Sequence, residues 1–413
     1  MRKVLIIMLC LLLLFGCSCT ANDEIKIIDF TDFKTIHMLN EVQYLPSSES
    51  SVTLNKVPMP DFGLYNIKCT DKAEYSPQVP NLEFIEETTG TIWCYTVYKN
   101  TAYFVVSYDI YHEFSHIVKI FSFDLENQIL SEIYKFENVN SSIYISDIYV
   151  GEDGIYFVSL KNNNSELYYI EQLNTVNNID VIYSCNQKLA LLNQSVCLTW
   201  YEGKGDTGTI KSYNNGTIIS LVESCYIFRG AYPYIQEESY YYIDKDTNNK
   251  SYANINCDNS LMCIHNLSDN SSFKYASDEE LIWLSWSSDS DYTNPYLLYA
   301  DINKYNILSL PISKLGVHYS DACINGKIFI HLVRDNLLGE GNDFFENVYY
   351  IDITNETVYN LTENEIGSNT SLVRVEYDRL QTQNEYLFFF SRYNSSEYNA
   401  DYKYHFFYWC DVS

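Results

Sequence analysis

The sequence predicts an all-β chain folded as a β-propeller of about seven blades, within a range of six to eight. Three observations carry that expectation. The composition is rich in strand-favouring aromatics, with 40 Tyr and 21 Phe in 413 residues. A pair of apolar strands around a polar turn returns at intervals of roughly 40 to 60 residues, near the period of propeller blades. Many of these strands are apolar on both faces, as a sheet stacked between two neighbours requires.

The chain opens with Met1-Arg2-Lys3 and an unbroken apolar run from Val4 to Phe15. That run is too short to span a bilayer and has the length of the apolar region of a signal peptide. It ends in Leu14-Phe15-Gly16-Cys17, which resembles the lipobox of bacterial lipoproteins, although Phe15 stands where a smaller or branched residue is usual. The resemblance implies cleavage before Cys17 and a diacylglycerol on its thiol, with further acylation of the palmitate type. It therefore implies lipid anchoring on the extracytoplasmic face of a bacterial cell membrane. Two or more acyl chains hold a protein stably, at about 0.8 kcal/mol per buried methylene. Residues 1–16 are accordingly expected as signal peptide.

Residues 17–80 hold five of the eight prolines, at positions 46, 58, 60, 77 and 80. Proline removes ladder donors, so this stretch is expected as tether and irregular extended chain. Lys26 to Phe30 is its one strand candidate, placed to close a ring with the C-terminus.

Residues 81–413 are expected as the propeller-like domain. Successive apolar anchors are Ala102 to Val106, Gly154 to Val158, Leu191 to Trp200, Ser239 to Ile243, Leu281 to Leu284, Gly326 to Ile330 and Glu385 to Phe390. Second strands follow most of them, such as Val118 to Asp124, Glu166 to Ile170, Tyr296 to Asp301 and Val348 to Asp352. Asn215-Gly216 and Asn325-Gly326 are strong hairpin-turn signals. In the pair Ile155 to Glu171, Ile155 and Phe157 point one way and Tyr156, Val158 and Leu160 the other. A β-sandwich is the alternative, but it calls for cleaner apolar and polar alternation. The Trp-Asp and Gly-His marks of WD40 blades and the paired glycines of kelch blades are absent from the sequence.

A formal net charge of -28 repels nucleic acid and anionic headgroups, so no nucleic-acid role is expected. Of the 12 Cys, Cys185 with Cys197 and Cys257 with Cys263 are candidate disulfides in an oxidising compartment. Cys17-Ser18-Cys19 lacks the second pair that a structural zinc site needs.

His112-Glu113-Phe114-Ser115-His116 matches H-E-x-x-H. On a helix both imidazoles would share one face and bind zinc, with Glu113 as general base on a metal-bound water. The strand-like flanks Tyr103 to Tyr108 and Ile117 to Phe123 place the motif in a hairpin connection instead. Asp244 to Asn248 and Asp289-Ser290-Asp291 are acidic turns that lack the Gly and Glu of a calcium loop, though Ca²⁺ could sit in such loops weakly. Paired carboxylates for glycoside hydrolysis cannot be chosen from 54 acidic residues.

The expected protein is thus a monomeric, membrane-anchored binding or scaffold propeller without a required cofactor, carrying a protein, peptide or glycan ligand. The alternatives are a surface zinc metallopeptidase on His112, Glu113 and His116, and a propeller glycoside hydrolase. Cys17→Ser is expected to shift the chain from the membrane to the soluble fraction and to change its gel mobility. Unchanged fractionation and mobility would remove the lipid anchor from consideration.

Overall fold

Runs of β-branched and aromatic residues bounded by Asn, Asp, Gly and Ser form strands throughout the computed structural model of the chain. The structure describes residues 26–412 apart from 39–42, 71–82, 109–116, 138–143, 162–163, 172–178, 193–197, 205–206, 215, 227–233, 237–238, 245–251, 258–259, 266–270, 277–278, 287–294, 313–314, 325, 336–343, 354, 363–372, 384 and 396–402.

Six strands come first: β1 Lys26–Asp29, β2 Lys34–Met38, β3 Gln43–Pro46, β4 Asn55–Pro58, β5 Leu64–Thr70 and β6 Glu83–Thr89. Repeat 1 holds β7 Thr91–Tyr98, β8 Thr101–Tyr108, β9 Ile117–Asp124 and β10 Ile129–Glu137. Repeat 2 holds β11 Tyr144–Val150, β12 Gly154–Lys161, β13 Asn164–Glu171 and β14 Ile179–Cys185. Repeat 3 holds β15 Lys188–Leu191, β16 Leu198–Lys204, β17 Thr207–Asn214 and β18 Thr217–Tyr226. Repeat 4 holds β19 Tyr234–Gln236, β20 Ser239–Asp244, β21 Tyr252–Cys257 and β22 Ser260–His265. Repeat 5 holds β23 Ser271–Ala276, β24 Glu280–Ser285, β25 Tyr296–Asp301 and β26 Asn306–Pro311. Repeat 6 holds β27 Val317–Ile324, β28 Lys327–Asp335, β29 Phe344–Asp352 and β30 Thr357–Asn360. Repeat 7 holds β31 Val373–Tyr377, β32 Gln381–Gln383, β33 Tyr386–Ser395 and β34 Lys403–Asp411.

Within each repeat the strands pair antiparallel in chain order, except that β31 and β32 both pair with β33. Counted as hydrogen-bonded sheets, the described residues form six blades, because repeats 3 and 4 share a nine-stranded sheet through the pair Tyr226–Ile243. A separate ribbon joins β5 to β6. The fold is a β-propeller, and each apolar anchor of the sequence falls on or runs into the second strand of a repeat, β33 in repeat 7, where β31 and β32 together fill the first place.

Two-sided burial holds the repeats together. Ile155 and Phe157 of β12 pack with Val105, Val118 and Ile120 of repeat 1. Tyr156 and Val158, on the opposite face, pack with Leu189, Leu198 and Trp200 of repeat 3. Similar apolar cores join repeats 5 and 6, repeats 6 and 7, and repeats 7 and 1. This excludes the sandwich, in which each sheet has one solvated face. Each fully buried large side chain contributes about 1.5–3 kcal/mol.

Part of the stretch 17–80, expected as tether and irregular chain, is built into the ring. β1, β2 and β3 pair parallel with β22, β26 and β30, as fifth strands on repeats 4, 5 and 6. β4 pairs antiparallel with β34 and completes repeat 7. Prolines did not prevent this because Pro46 and Pro58 are the last residues of β3 and β4, on sheet edges where a missing donor is tolerated. The strand expected near Lys26 exists, but it docks on repeat 4, and ring closure falls to β4. Ile28, Phe33, Val52 and Val57 bury their side chains along this path. Phe30 stacks on Trp283 at 4.9 Å, and the Lys34 N–H donates to the Tyr305 carbonyl at 2.9 Å.

The two turn glycines take the left-handed backbone that Gly accepts at low cost, Gly216 at φ +81° and Gly326 at φ +74°. The disulfide expectations fail. Cys185 is a free thiol donating to the Gln187 carbonyl. Cys257 lies opposite Ser260 and Cys263 opposite Asn254, so the two stand about 10 Å apart along the ladder, beyond the Cα reach of about 7 Å.

Phe407 is fully buried where repeats 7 and 1 meet, against Phe104 and Tyr95. Phe407→Ala is expected to cost about 3–5 kcal/mol in chemical denaturation. Ile219→Ala, on an exposed strand, should stay within about 0.5 kcal/mol.

Candidate functional site: the mouth of the ring

The first strands touch one another in series: β23 with β27, β27 with β32, β32 with β7, β7 with β11 and β11 with β15. They form the inner wall of the ring, with a free backbone edge toward the axis. An ordinary strand sends its side chains into the blade interfaces on either side and offers the axis none. Four first strands break that rule with a β-bulge, near the start in β7, β11 and β27 and past the middle in β23. The residues skipped in the ladder are Trp93 in β7, Ser146 in β11, Lys274 in β23 and Tyr319 in β27. In repeat 7 the first strand leaves the sheet between Asp378, whose N–H still donates to the Phe390 carbonyl, and Gln381. A bulge bends the strand and re-aims a side chain.

Burial follows the bulges. β7 and β27 are exposed or half-buried at their starts and buried further along, and β11 follows them apart from the buried Ile145. The ring therefore opens at the end where the first strands begin. Tyr144 is 49% exposed and Tyr319 51%. The Trp93 and Tyr144 rings meet at 5.1 Å across repeats 1 and 2. The other end is packed: Gln383 is fully buried, accepts from the Thr96 hydroxyl and donates to the Val150 carbonyl at 2.5 Å. One amide thus ties repeats 7, 1 and 2 together.

The carboxylates of the mouth are held by partners. Asp321 accepts from Lys274 Nζ at 2.7 Å across repeats 5 and 6, and lies 3.0 Å from His318 Nε2. Burial would raise the Asp321 carboxyl, but the Lys274 ammonium and His318 outweigh it and hold it well below the usual carboxylate range. Asp378 accepts from the Tyr95 hydroxyl at 2.9 Å across repeats 7 and 1, and burial with this carboxylate pushes the Tyr95 phenol well up. Asp147 accepts the Leu191 N–H of repeat 3 at 2.8 Å. Ser320 Oγ accepts the Leu380 N–H at 3.1 Å, fixing the excursion of repeat 7 to repeat 6. Behind Tyr319 its ring contacts the buried His331 at 4.8 Å, which pairs with Glu346 at 3.2 Å. A general acid needs a raised pKa, whereas Asp321 is held low.

Cys17 lies outside the described residues, as do His112, Glu113 and His116. The strands on either side of that motif are β8 and β9, paired antiparallel up to Tyr108–Ile117. Thr91, the start of β7, lies opposite Ser107, so the connection 109–116 leaves from the mouth end of repeat 1. Asp244 ends β20, while 245–251 and the turn at Asp289 to Asp291 are outside the described residues. Among the described residues no group of three or more His, Cys, Asp or Glu is placed to hold a metal ion. Trp93, Tyr144, Tyr319, Lys274 and Asp321 were not legible as a site. The one signal was a Ser-Asp dipeptide at 146–147 and again at 320–321, among many acidic residues.

No known family model matches the chain, and no curated protein does. Solved structures similar to it include the β-propeller domain of the Trilobed protease from Pyrococcus furiosus, with 12% identity and a TM-score of 0.51 over 78% of this chain and 93% of that one. A prolyl endopeptidase gives 10% identity and a TM-score of 0.47, covering 84% of this chain. The chain spans 55% of that peptidase's length. The polysaccharide lyase Uly1 gives 7% identity and 0.47, covering 87% of this chain and 99% of that one. The first likeness shows the fold alone.

Lys274→Met leaves Asp321 without its cation. It is expected to cost about 2–3 kcal/mol, less than for a fully buried pair because Lys274 keeps some exposure. The folded carboxyl sits below its unfolded value of about 3.9, so its contribution is complete above that pH and is lost as pH falls further. Denaturation midpoints should therefore drop more steeply below about pH 4 in the parent chain than in Asp321→Asn.

Proposed function

We propose that the chain is a non-catalytic binding propeller, tethered outside the membrane through a lipid on Cys17, whose ligand seats in the open mouth of the ring. The observation that carries this is the recurrence of bulges on the first strands, which bring Trp93, Ser146, Lys274 and Tyr319 toward one end. Propellers bind where loops and axis meet, and aromatic faces beside polar groups suit a glycan or an extended peptide of a protein. The charge of -28 disfavours nucleic acid.

The leaderless chain is to be screened on glycan and peptide arrays. Trp93→Ala and Tyr319→Ala should each weaken the selected ligand at least about tenfold, with circular dichroism and melting unchanged for Tyr319→Ala. No ligand on either array, or binding indifferent to both substitutions, would overturn the proposal.

A zinc metallopeptidase centred on His112, Glu113 and His116 is the second reading, favoured by the exit of that connection at the mouth end. Stoichiometric zinc and proteolysis, both lost in His112→Ala, would establish it. Turnover on the glycan array would instead support a hydrolase acting at the same mouth.

A further inference from the structure

The N-terminal segment covers outer edges unevenly. β1, β2 and β3 lie on repeats 4, 5 and 6, and β4 on repeat 7. Among the described residues no strand lies beyond β10 of repeat 1 or β14 of repeat 2, and β18 of repeat 3 has a neighbour beyond it only at Tyr226. Each of these three strands also carries a large exposed aliphatic residue: Ile129 in β10 is 59% exposed, Val181 in β14 is 52% and Ile219 in β18 is 49%. No residue of β26 or β30, whose edges are covered, is exposed to that degree. Acidic residues dominate the open strands: Glu132, Glu137, Asp180 and Glu223 against Lys135. Two of the four segments that the chain lays on its other edges begin with a cation and carry an aliphatic residue within the next two positions, Lys26-Ile27-Ile28 and Lys34-Thr35-Ile36, and a third holds Lys56-Val57.

We infer that the outer edges of repeats 1 to 3 are docking strips for an extended segment of a partner protein, one that alternates Lys or Arg with aliphatic residues. It adds parallel to β10, β14 or β18, as β1 to β3 add parallel to β22, β26 and β30. Backbone hydrogen bonds supply the affinity, and contacts with Ile129, Val181 or Ile219 supply the choice of side chain. Open apolar edges are otherwise a hazard that proteins blunt with charge or cover; here four edges are covered by the chain itself. The strips are separate from the mouth and independent of what binds there.

The test uses the whole chain and a synthetic peptide with the sequence of residues Lys26–Met38. Hydrogen exchange should show new protection in Ile129–Glu137, Ile179–Cys185 or Thr217–Tyr226 when the peptide is added. Ile129→Glu, Val181→Glu and Ile219→Glu, made together at exposed positions, should weaken the peptide by at least about tenfold, and so should Glu in place of both peptide lysines. Trp93→Ala should leave the protection unchanged. Protection confined to β22, β26 and β30 would mean displacement of the chain's own segment and would overturn the inference. So would no protection at all. Protection that rises with protein concentration without peptide would overturn it in favour of pairing between two copies.

Discussion

Everything in this fold depends on the contact between β4 and β34. The strands of each repeat are apolar on both faces, so no repeat can end the stack by turning one face to water. Repeat 7 needs repeat 1, and the core that joins them is among the most aromatic in the molecule, with Tyr95, Phe104, Phe388, Phe390 and Phe407 in one cluster. Val57 of β4 enters that same cluster, so the closing strand is fastened by side chains as well as by its ladder. Without closure two large apolar faces would stand open, far beyond what a soluble monomer exposes.

The mouth follows from the same constraint. Two-sided burial uses up the side chains of an ideal first strand in the blade interfaces, leaving the axis lined by backbone. Bulges in the first strands release Trp93, Ser146, Lys274 and Tyr319 from that duty. Lys274 and groups beside the mouth also work structurally. Lys274 and Asp321 hold repeats 5 and 6 together, and Tyr95 and Asp378 hold repeats 7 and 1. Mouth and ring are thus coupled, since the ion pair and the hydrogen bond beside the mouth also join neighbouring blades.

The fold class was legible because it rests on local pattern. The anchor at Ile155 to Val158 announces both burial on two faces and a hairpin, and both were met residue by residue. The role of Lys26–Pro58 was not legible. Short parallel edge strands leave no alternation to read, and five prolines between positions 46 and 80 point away from sheet. Disulfide pairing misled for a related reason, since closeness in sequence between Cys257 and Cys263 says nothing of their offset across the ladder. The mouth was hidden because a bulge is a defect in register, visible only once two strands are paired. Trp93 and Tyr144, some fifty positions apart in sequence, meet only through the stacking of repeats 1 and 2.

The winding of Lys26–Pro58 around repeats 4 to 7 sets an order in time. These residues leave the ribosome well before the strands that receive them: β4 waits for Lys403–Asp411, more than three hundred residues later. Contacts of such long separation form late in folding. A nascent chain can complete repeats 1 to 3 while Lys26–Pro58 remains without a berth, and the ring is sealed only once Lys403–Asp411 has been made.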